Sequence, residues 1–538
     1  MSAIKTVLKF IGAAFKDVMK NPFAGGFLNR VATNLACTST TPRPRAFSLW
    51  SHVGKPEELN RQGPVGEYTT WPMLTDRLYS ARHLPPAEQS YIDGLPEDAP
   101  YNGNSANFTV GDVTKLFARQ GAIKEGRSSV LFMFFAQWFT DSILRVDPRD
   151  RRKNTSNHNI DLCQIYGLKE TTARLLRSKK KGGKLASQMI DGEEYLDYLG
   201  EVGADGKWTV KTDYKKLPHA APEIMHVVFG DVPEERMRKL YATGLERGNS
   251  SVGYVAISTV FMREHNRICD ELSARNPDWD GDDERLFQTA RMINNVILMK
   301  LVVQDYINHI AGENLFTFDP RFADKEEWYR TPWISLEFDL LYRWHGLVPD
   351  DITVGGRTYD HTEYRVNNGL LEKAGLAAII DAASRQHAGQ ISLRNVPDFL
   401  LGAEYQTIKM GRDFRLRPYN DYRKQFGRDV LTSFKQLTDD TALRDRLKAM
   451  YGDIDKVEFI IGLFAQKHVK SRLYGDLMYA MVAYDALTQI YTNPLLSRNV
   501  YTTRTFTQYG LDLIDDTNTV QDLVDRNVEG SVRVGFGF

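Results

Sequence analysis

The sequence predicts a mainly α-helical fold, and three observations carry that expectation. Apolar residues recur at helical spacing over 255–274, 285–311, 370–384, 441–450 and 457–465. Alternating, strand-like patterns are few and short, confined to ribbons near 189–195 and 208–212. No self-similarity of 20–50 residues marks a repeat array. The length of 538 residues by itself allows several domains or one large helical one.

Composition narrows the function classes. Lys plus Arg and Asp plus Glu number 69 each, so nothing in the charge balance points to a nucleic-acid partner. Three scattered cysteines, Cys37, Cys163 and Cys269, make neither a disulfide framework nor a metal-spaced cluster. No run of 18 or more apolar residues suggests a transmembrane helix. Lys9, Lys16, Asp17 and Lys20 interrupt the first twenty residues, which therefore read as a mature, uncleaved N-terminus rather than a secretory signal.

Taken in order, Ile4, Val7, Leu8, Ile11, Phe15, Val18 and Met19 give a helix with an apolar face. Lys5, Lys9, Lys16 and Lys20 supply a basic side, a combination suited to a membrane interface. A second apolar piece, 23–35, follows Pro22, and 38–45 is a Pro-stiffened connector. The stretch 54–107 is rich in turn signals and reads as irregular wrapping. Helices are expected over 110–120 and 128–145. On the second, Gln137 and Asp141 are four apart and face the same way. The charged stretch 148–184 reads as a solvated loop, with His158 taken as structural.

The chemistry-bearing stretch is 337–350, which reads as one helix. Phe338, Leu341 and His345 fall on one stripe and Leu340, Trp344 and Leu347 on the next, and Gly346 and Pro349 end it. On such a helix Tyr342 and His345 stand about 5–6 Å apart at Cβ. A phenol beside an imidazole among aromatics suits a metal-bound oxidant that takes an electron from tyrosine. By pattern alone, a lone histidine on an apolar helix is more often a core residue.

This stretch resembles the proximal haem helix of the prostaglandin endoperoxide synthases (cyclooxygenases), within the animal haem peroxidase superfamily. Residues 134–140 (Phe-Phe-Ala-Gln-Trp-Phe-Thr) resemble the distal haem helix, and 263–270 (Arg-Glu-His-Asn-Arg-Ile-Cys-Asp) the long central helix. Residues 451–455 (Tyr-Gly-Asp-Ile-Asp) resemble the turn before the last third of the catalytic domain. The resemblance runs from about residue 4 to about residue 493. It implies a large single haem-peroxidase-like domain over 46–538, with haem b buried between helices. Over 1–45 it implies short amphipathic helices on a membrane surface, hence a monotopic protein, expected on the cytoplasmic side. A homodimer is also implied. The disulfide-rich module that opens the animal enzymes has no counterpart here, so no oxidising compartment is required.

The resemblance also assigns roles. His345 is the proximal iron ligand and Tyr342 the radical that abstracts hydrogen from an unsaturated fatty acid, to which O2 then adds. Gln137 and the residue at position 141 bracket incoming hydroperoxide. Phe338, Leu341 and Trp344 match channel-top positions, and Tyr306 a tyrosine that orients the catalytic one. Residues 474–487 match the channel-lining helix, which places Tyr479, Ala483, Ala486 and Leu487 against substrate.

Four departures stand out. Asp141 occupies the place of a catalytic histidine. With a reference pKa of ~3.9 it is an anion at neutral pH and a weak proton acceptor. General acid–base assistance is worth on the order of 10²–10⁴-fold, so weakened peroxidase turnover is expected, unless burial raises the carboxyl into an acid–base role. Ala486 replaces the serine that aspirin acetylates. Thr40 and Glu313 replace the carboxylate anchor and its partner, leaving Arg43 and Arg45 as candidate anchors or plain surface charges. Ile460 replaces a tyrosine behind the proximal ligand, so the usual haem electronics are in doubt. Alternatives to the dioxygenase are a peroxidase or peroxygenase acting directly at the iron, and a non-catalytic haem- or lipid-binding relative.

Overall fold

The computed structural model describes residues 22–40, 77–98, 111–469 and 472–538. The expected basic helix over 4–19, with Arg43 and Arg45, lies outside these residues. Helix α1 (Pro22–Cys37) forms where the second apolar piece is expected. Asn29, Thr33 and Cys37 face inward and are buried, while Phe27, Val31 and Leu35, four apart, stand exposed.

Strand β1 (Glu125–Ser129) runs directly into α2 (Val130–Thr140). The Ser129 hydroxyl caps α2 by accepting the Phe132 N–H at 3.1 Å. Apolar on nearly every side, α2 is buried except at Gln137 and Thr140. It is shorter than the 128–145 expected, and Asp141 is its C-terminal cap. The helix expected over 110–120 reduces to one 3₁₀ turn, Thr114–Leu116. Its backbone is engaged elsewhere: the Arg119 N–H donates to Val396 at 2.8 Å and Phe117 accepts from the Val396 N–H at 2.9 Å.

The expected ribbons form as two hairpins, β2 (Ser187–Ile190) with β3 (Glu193–Leu196) and β4 (Gly200–Val202) with β5 (Trp208–Val210). Helix α3 (Val252–Arg275) is capped by Ser251. Helix α4 (Asp283–Leu301) continues through a π-helical stretch, Val302–Ile307, and a last turn, Asn308–Ala311. The continuous helix Asp283–Ala311 is long and apolar enough to cross a bilayer, but 83% of its most apolar window is buried in the protein, as in a core helix.

Beyond lie α5 (Leu336–Leu341) and the hairpin of β6 (Asp351–Val354) and β7 (Arg357–Asp360). The helix expected over 370–384 is split by Gly375, at φ 83°, and its second half is α6 (Leu376–Ser384). Strand β8 (His387–Gly389) pairs antiparallel with β1. Helices α7 (Leu401–Asp413), α8 (Phe459–Ala465), α9 (Asp476–Tyr491), α10 (Thr503–Asp516) and α11 (Val520–Asn527) complete the elements used below.

These helices share one continuous hydrophobic core. Helix α3 is its axis and packs on α2, α4, α6 and α11, while α10 covers α4. Helix α5 lies between α8 and α9, and α1 covers the outer side of α9. The architecture is mainly helical with short hairpins at the periphery. The space that matters lies between α2 and the turn that follows α5.

Candidate active site

The single helix expected over 337–350 does not exist. Helix α5 is capped by Ser335, whose hydroxyl accepts the Phe338 N–H at 3.1 Å, and it ends at Leu341. The indole N–H of Trp344 donates to the Leu341 carbonyl at 2.8 Å, and the Trp344 amide to the Tyr342 carbonyl at 2.8 Å. The chain then turns into a short 3₁₀ piece, His345–Leu347. Tyr342 and His345 are therefore not neighbours along one helix. Instead the rings of Tyr342 and Trp344 stack at 4.3 Å, and Phe338 meets Tyr342 edge-on at 5.0 Å.

The His345 turn is held tightly from outside. A Cβ on Gly346 would sit 2.5 Å from the Gln390 carbonyl oxygen, so only glycine allows the β8 segment to pass so close. Buried Asn395 donates to the Gly346 carbonyl at 3.2 Å, and the Arg119 guanidinium to Val348 at 2.6 Å. On the ring itself, Nδ1 of His345 lies 2.7 Å from Oε1 of Glu404, a fully buried residue of α7. With Nδ1–H engaged there, the neutral imidazole keeps Nε2 free as an acceptor.

His345, Trp344 and Tyr342 line a half-open cleft of about 280 Å³, which Gln137 and Asp141 line as well. The Gln137 amide reaches Ser250 Oγ at 3.5 Å. Oδ1 of Asp141 lies 3.2 Å from the half-exposed guanidinium of Arg247, and the buried Oδ2 makes no hydrogen bond. The Asp141 carboxylate holds the Arg247 pKa above the ordinary arginine value. Among the described residues, no histidine other than His345 lines the cleft.

Behind Tyr342 the packing is closed. Burial pushes its phenol above the usual tyrosine range, and the nearby Tyr306 hydroxyl partly offsets this. Burial likewise raises Tyr306. Neither hydroxyl makes a hydrogen bond of good geometry. Tyr306 sits in the π-helical stretch after α4, a distortion frequent at functional sites. Phe338, Leu341, Ala483, Ala486 and Leu487 are buried and Tyr479 largely so, and none of them lines the cleft. Tyr342 thus borders the cleft on one side and this interior on the other. Thr40 is buried at the end of α1, Glu313 is exposed, and Ile460 is buried on α8. His158 is structural: its Nδ1 accepts the Ile334 N–H at 3.0 Å ahead of α5.

Two residues escape a reading of the sequence. Arg247 lies in a loop before α3, and Glu404 lies 59 residues from His345 on a helix of mostly polar wording, LGAEYQTIKMGRD. No motif marks either, and only the fold brings them to the cleft.

The animal haem peroxidase family model matches residues 144–534, and the chain belongs to that family. It is 32% identical over 481 residues to dog (Canis lupus familiaris) prostaglandin G/H synthase 1, covering 87% of this chain and 74% of the relative. With horse (Equus caballus) prostaglandin G/H synthase 2 the identity is 31% over 471 residues, covering 86% and 73%. Among solved structures, a fatty acid alpha-dioxygenase from rice (Oryza sativa) superposes with a TM-score of 0.66 at 16% identity, covering 93% of this chain and 90% of that one. Peroxidase A from Dictyostelium discoideum gives 0.62 at 17%, covering 92% and 100%. The last two likenesses are of fold. The protein is an oxidoreductase of the haem peroxidase fold.

Family membership implies haem, and the residues present fit it. The cleft is lined by Phe134, Leu347 and Phe399 and offers one free imidazole nitrogen, with Arg365 and the Asp339-paired Arg343 also in its lining. His345 would hold the iron, and Gln137, Asp141 and Arg247 line the same cleft.

Proposed function

We propose that the protein oxygenates unsaturated fatty acids, with haem held by His345 and Tyr342 as the group that abstracts hydrogen. The observation that carries this reading is the position of Tyr342. Its ring lies between the cleft that His345 lines and a buried aromatic and aliphatic interior, stacked on the residue next to His345. Bound haem, once oxidised by a hydroperoxide, supplies an oxidant strong enough to take one electron from a phenol. Tyr342 gives up that electron and its phenolic proton, and the phenoxyl radical removes an allylic hydrogen from the fatty acid. Dioxygen adds to the carbon radical left behind, and the peroxyl radical takes the hydrogen atom back from Tyr342, giving a lipid hydroperoxide and restoring the phenoxyl radical. Tyr306 and Phe338 fix the ring, and the closed packing keeps water from the radical.

Peroxide handling is weakened in this reading. Arg247 neutralises much of the Asp141 charge, so repulsion of a peroxide anion is smaller than Asp141 alone implies. An ion-paired carboxylate remains a poor relay for the proton that peroxide cleavage requires. The competing peroxidase or peroxygenase reading rests on the polar trio Gln137, Asp141 and Arg247. Oxygen-electrode traces with C18 and C20 unsaturated acids separate the two. Uptake after a hydroperoxide trigger is the expected result; peroxide reduction with no uptake on any acid would overturn the dioxygenase.

The same reading seats α1 on a membrane. The stripe of Phe27, Val31 and Leu35, 66%, 38% and 50% exposed, is suited to lipid rather than water. Changing all three to Ser is expected to move the protein from the floating to the soluble fraction in a liposome flotation assay; unchanged flotation would remove α1 from the contact.

A further inference from the structure

The residue behind His345 is a carboxylate where the family resemblance leads one to look for a tyrosine and water. Glu404 is fully buried, and its Oε1 meets Nδ1 of His345 at 2.7 Å, within the range of a charge-assisted hydrogen bond. Among the described residues no Lys or Arg forms an ion pair with Glu404, and its Oε2 is buried without a hydrogen bond. The neighbouring face of α8 offers Ile460 and no polar alternative, and α7 and α8 pack directly. A buried carboxylate is costly unless paired. Here its pairing falls on the imidazole.

We infer that Glu404 is a positioning and tuning residue. It fixes the His345 tautomer, aims Nε2 into the cleft, and makes His345 a strongly electron-donating, imidazolate-like ligand. A partner that draws the Nδ1 proton raises the basicity of Nε2, and axial-ligand basicity is one of the levers by which a protein sets haem potential. The predicted consequence is stabilisation of the ferric state and a low Fe(III)/Fe(II) midpoint. This donor sits in the same molecule as the Asp141–Arg247 pair, a poor proton relay.

This inference rests on His345 as the haem ligand, and the experiment keeps the two apart. Loss of the ligated Soret spectrum in His345→Gly, and its return when haem is supplied with imidazole, tests the ligand itself. In that variant the cavity is then refilled with imidazole or with 1-methylimidazole, which has no N–H to give Glu404. The imidazole-ligated holoprotein is expected to show the lower midpoint in spectroelectrochemical titration, and equal midpoints would overturn the proposal. In the full-length holoprotein, Glu404→Gln is expected to raise the midpoint and lower the ferrous Fe–His stretching frequency, with haem held about 10–100-fold more weakly. A Glu404→Gln protein that binds haem with wild-type midpoint and stretching frequency would overturn it as well. The ligand-exchange arm leaves Glu404 in place, so it decides the matter even if Glu404→Gln fails to fold.

Discussion

Asp141 and Arg247 meet at 3.2 Å on the cleft that His345 also lines, and in the proposed reading this pair governs how the protein treats peroxide. Asp141→His restores a group that both accepts and returns a proton near neutral pH. Steady-state peroxide reduction with a phenolic co-substrate is expected to rise by about 10²-fold, the low end of what general acid–base assistance supplies. A slower variant would mean that Asp141 is itself the relay. At this scale the sequence was informative where residues belong to local motifs. Gln137, Asp141, Tyr342 and His345 are readable because each sits in a stretch whose wording resembles a known haem helix, and the fold gathers all four on one cleft. Arg247 and Glu404 are not readable, since an exposed-looking Arg in a loop and a Glu in a polar helix carry no signal until the chain folds.

Among the elements, the break after α5 shows where periodicity misleads. Apolar spacing continues through 337–350, but the Trp344 side chain caps the Leu341 carbonyl and takes the place of the next helical hydrogen bond. The close crossing of α2 and α3 depends on a missing side chain: a Cβ on Gly253 would lie 2.0 Å from Phe134, which lines the cleft. Gly253→Ala is expected to cost about 1–3 kcal/mol, read as a lower Tm, because a filled crossing must shift to admit the methyl. An unchanged Tm would show that the crossing has slack.

A buried pair, His83 with Asp485 at 2.8 Å, ties the 77–98 segment to α9. Burial alone would lower the His83 pKa, but Asp485, aided by Glu337 and opposed by Arg330, carries it above its ordinary 6.5. A raised folded value means the pair stabilises fully below about pH 6.5 and is lost as pH rises through that value. Thermal unfolding at pH 6 and pH 9 is therefore expected to show a smaller alkaline loss in His83→Gln than in wild type. Identical slopes would place the charge of the pair elsewhere.

For the whole molecule, the sequence led to one mainly helical body, and a single continuous core links α1 through α11. Stretches as distant as 133–141 and 339–348 line one cleft, and α3 provides a shared axis for α2, α4 and α6. Elements whose identity rests on long apolar periodicity, such as α3 and α4, were readable in place. Short segments that borrow hydrogen bonds from distant neighbours, such as 111–120, were not. The central proposal is that this body positions one phenol between a haem cleft and a buried aromatic and aliphatic interior. Oxygen uptake and product analysis with an unsaturated fatty acid on haem-loaded Tyr342→Phe test it most directly. The account predicts a wild-type-like Soret spectrum with no oxygenated lipid; normal lipid oxygenation by that variant would contradict it.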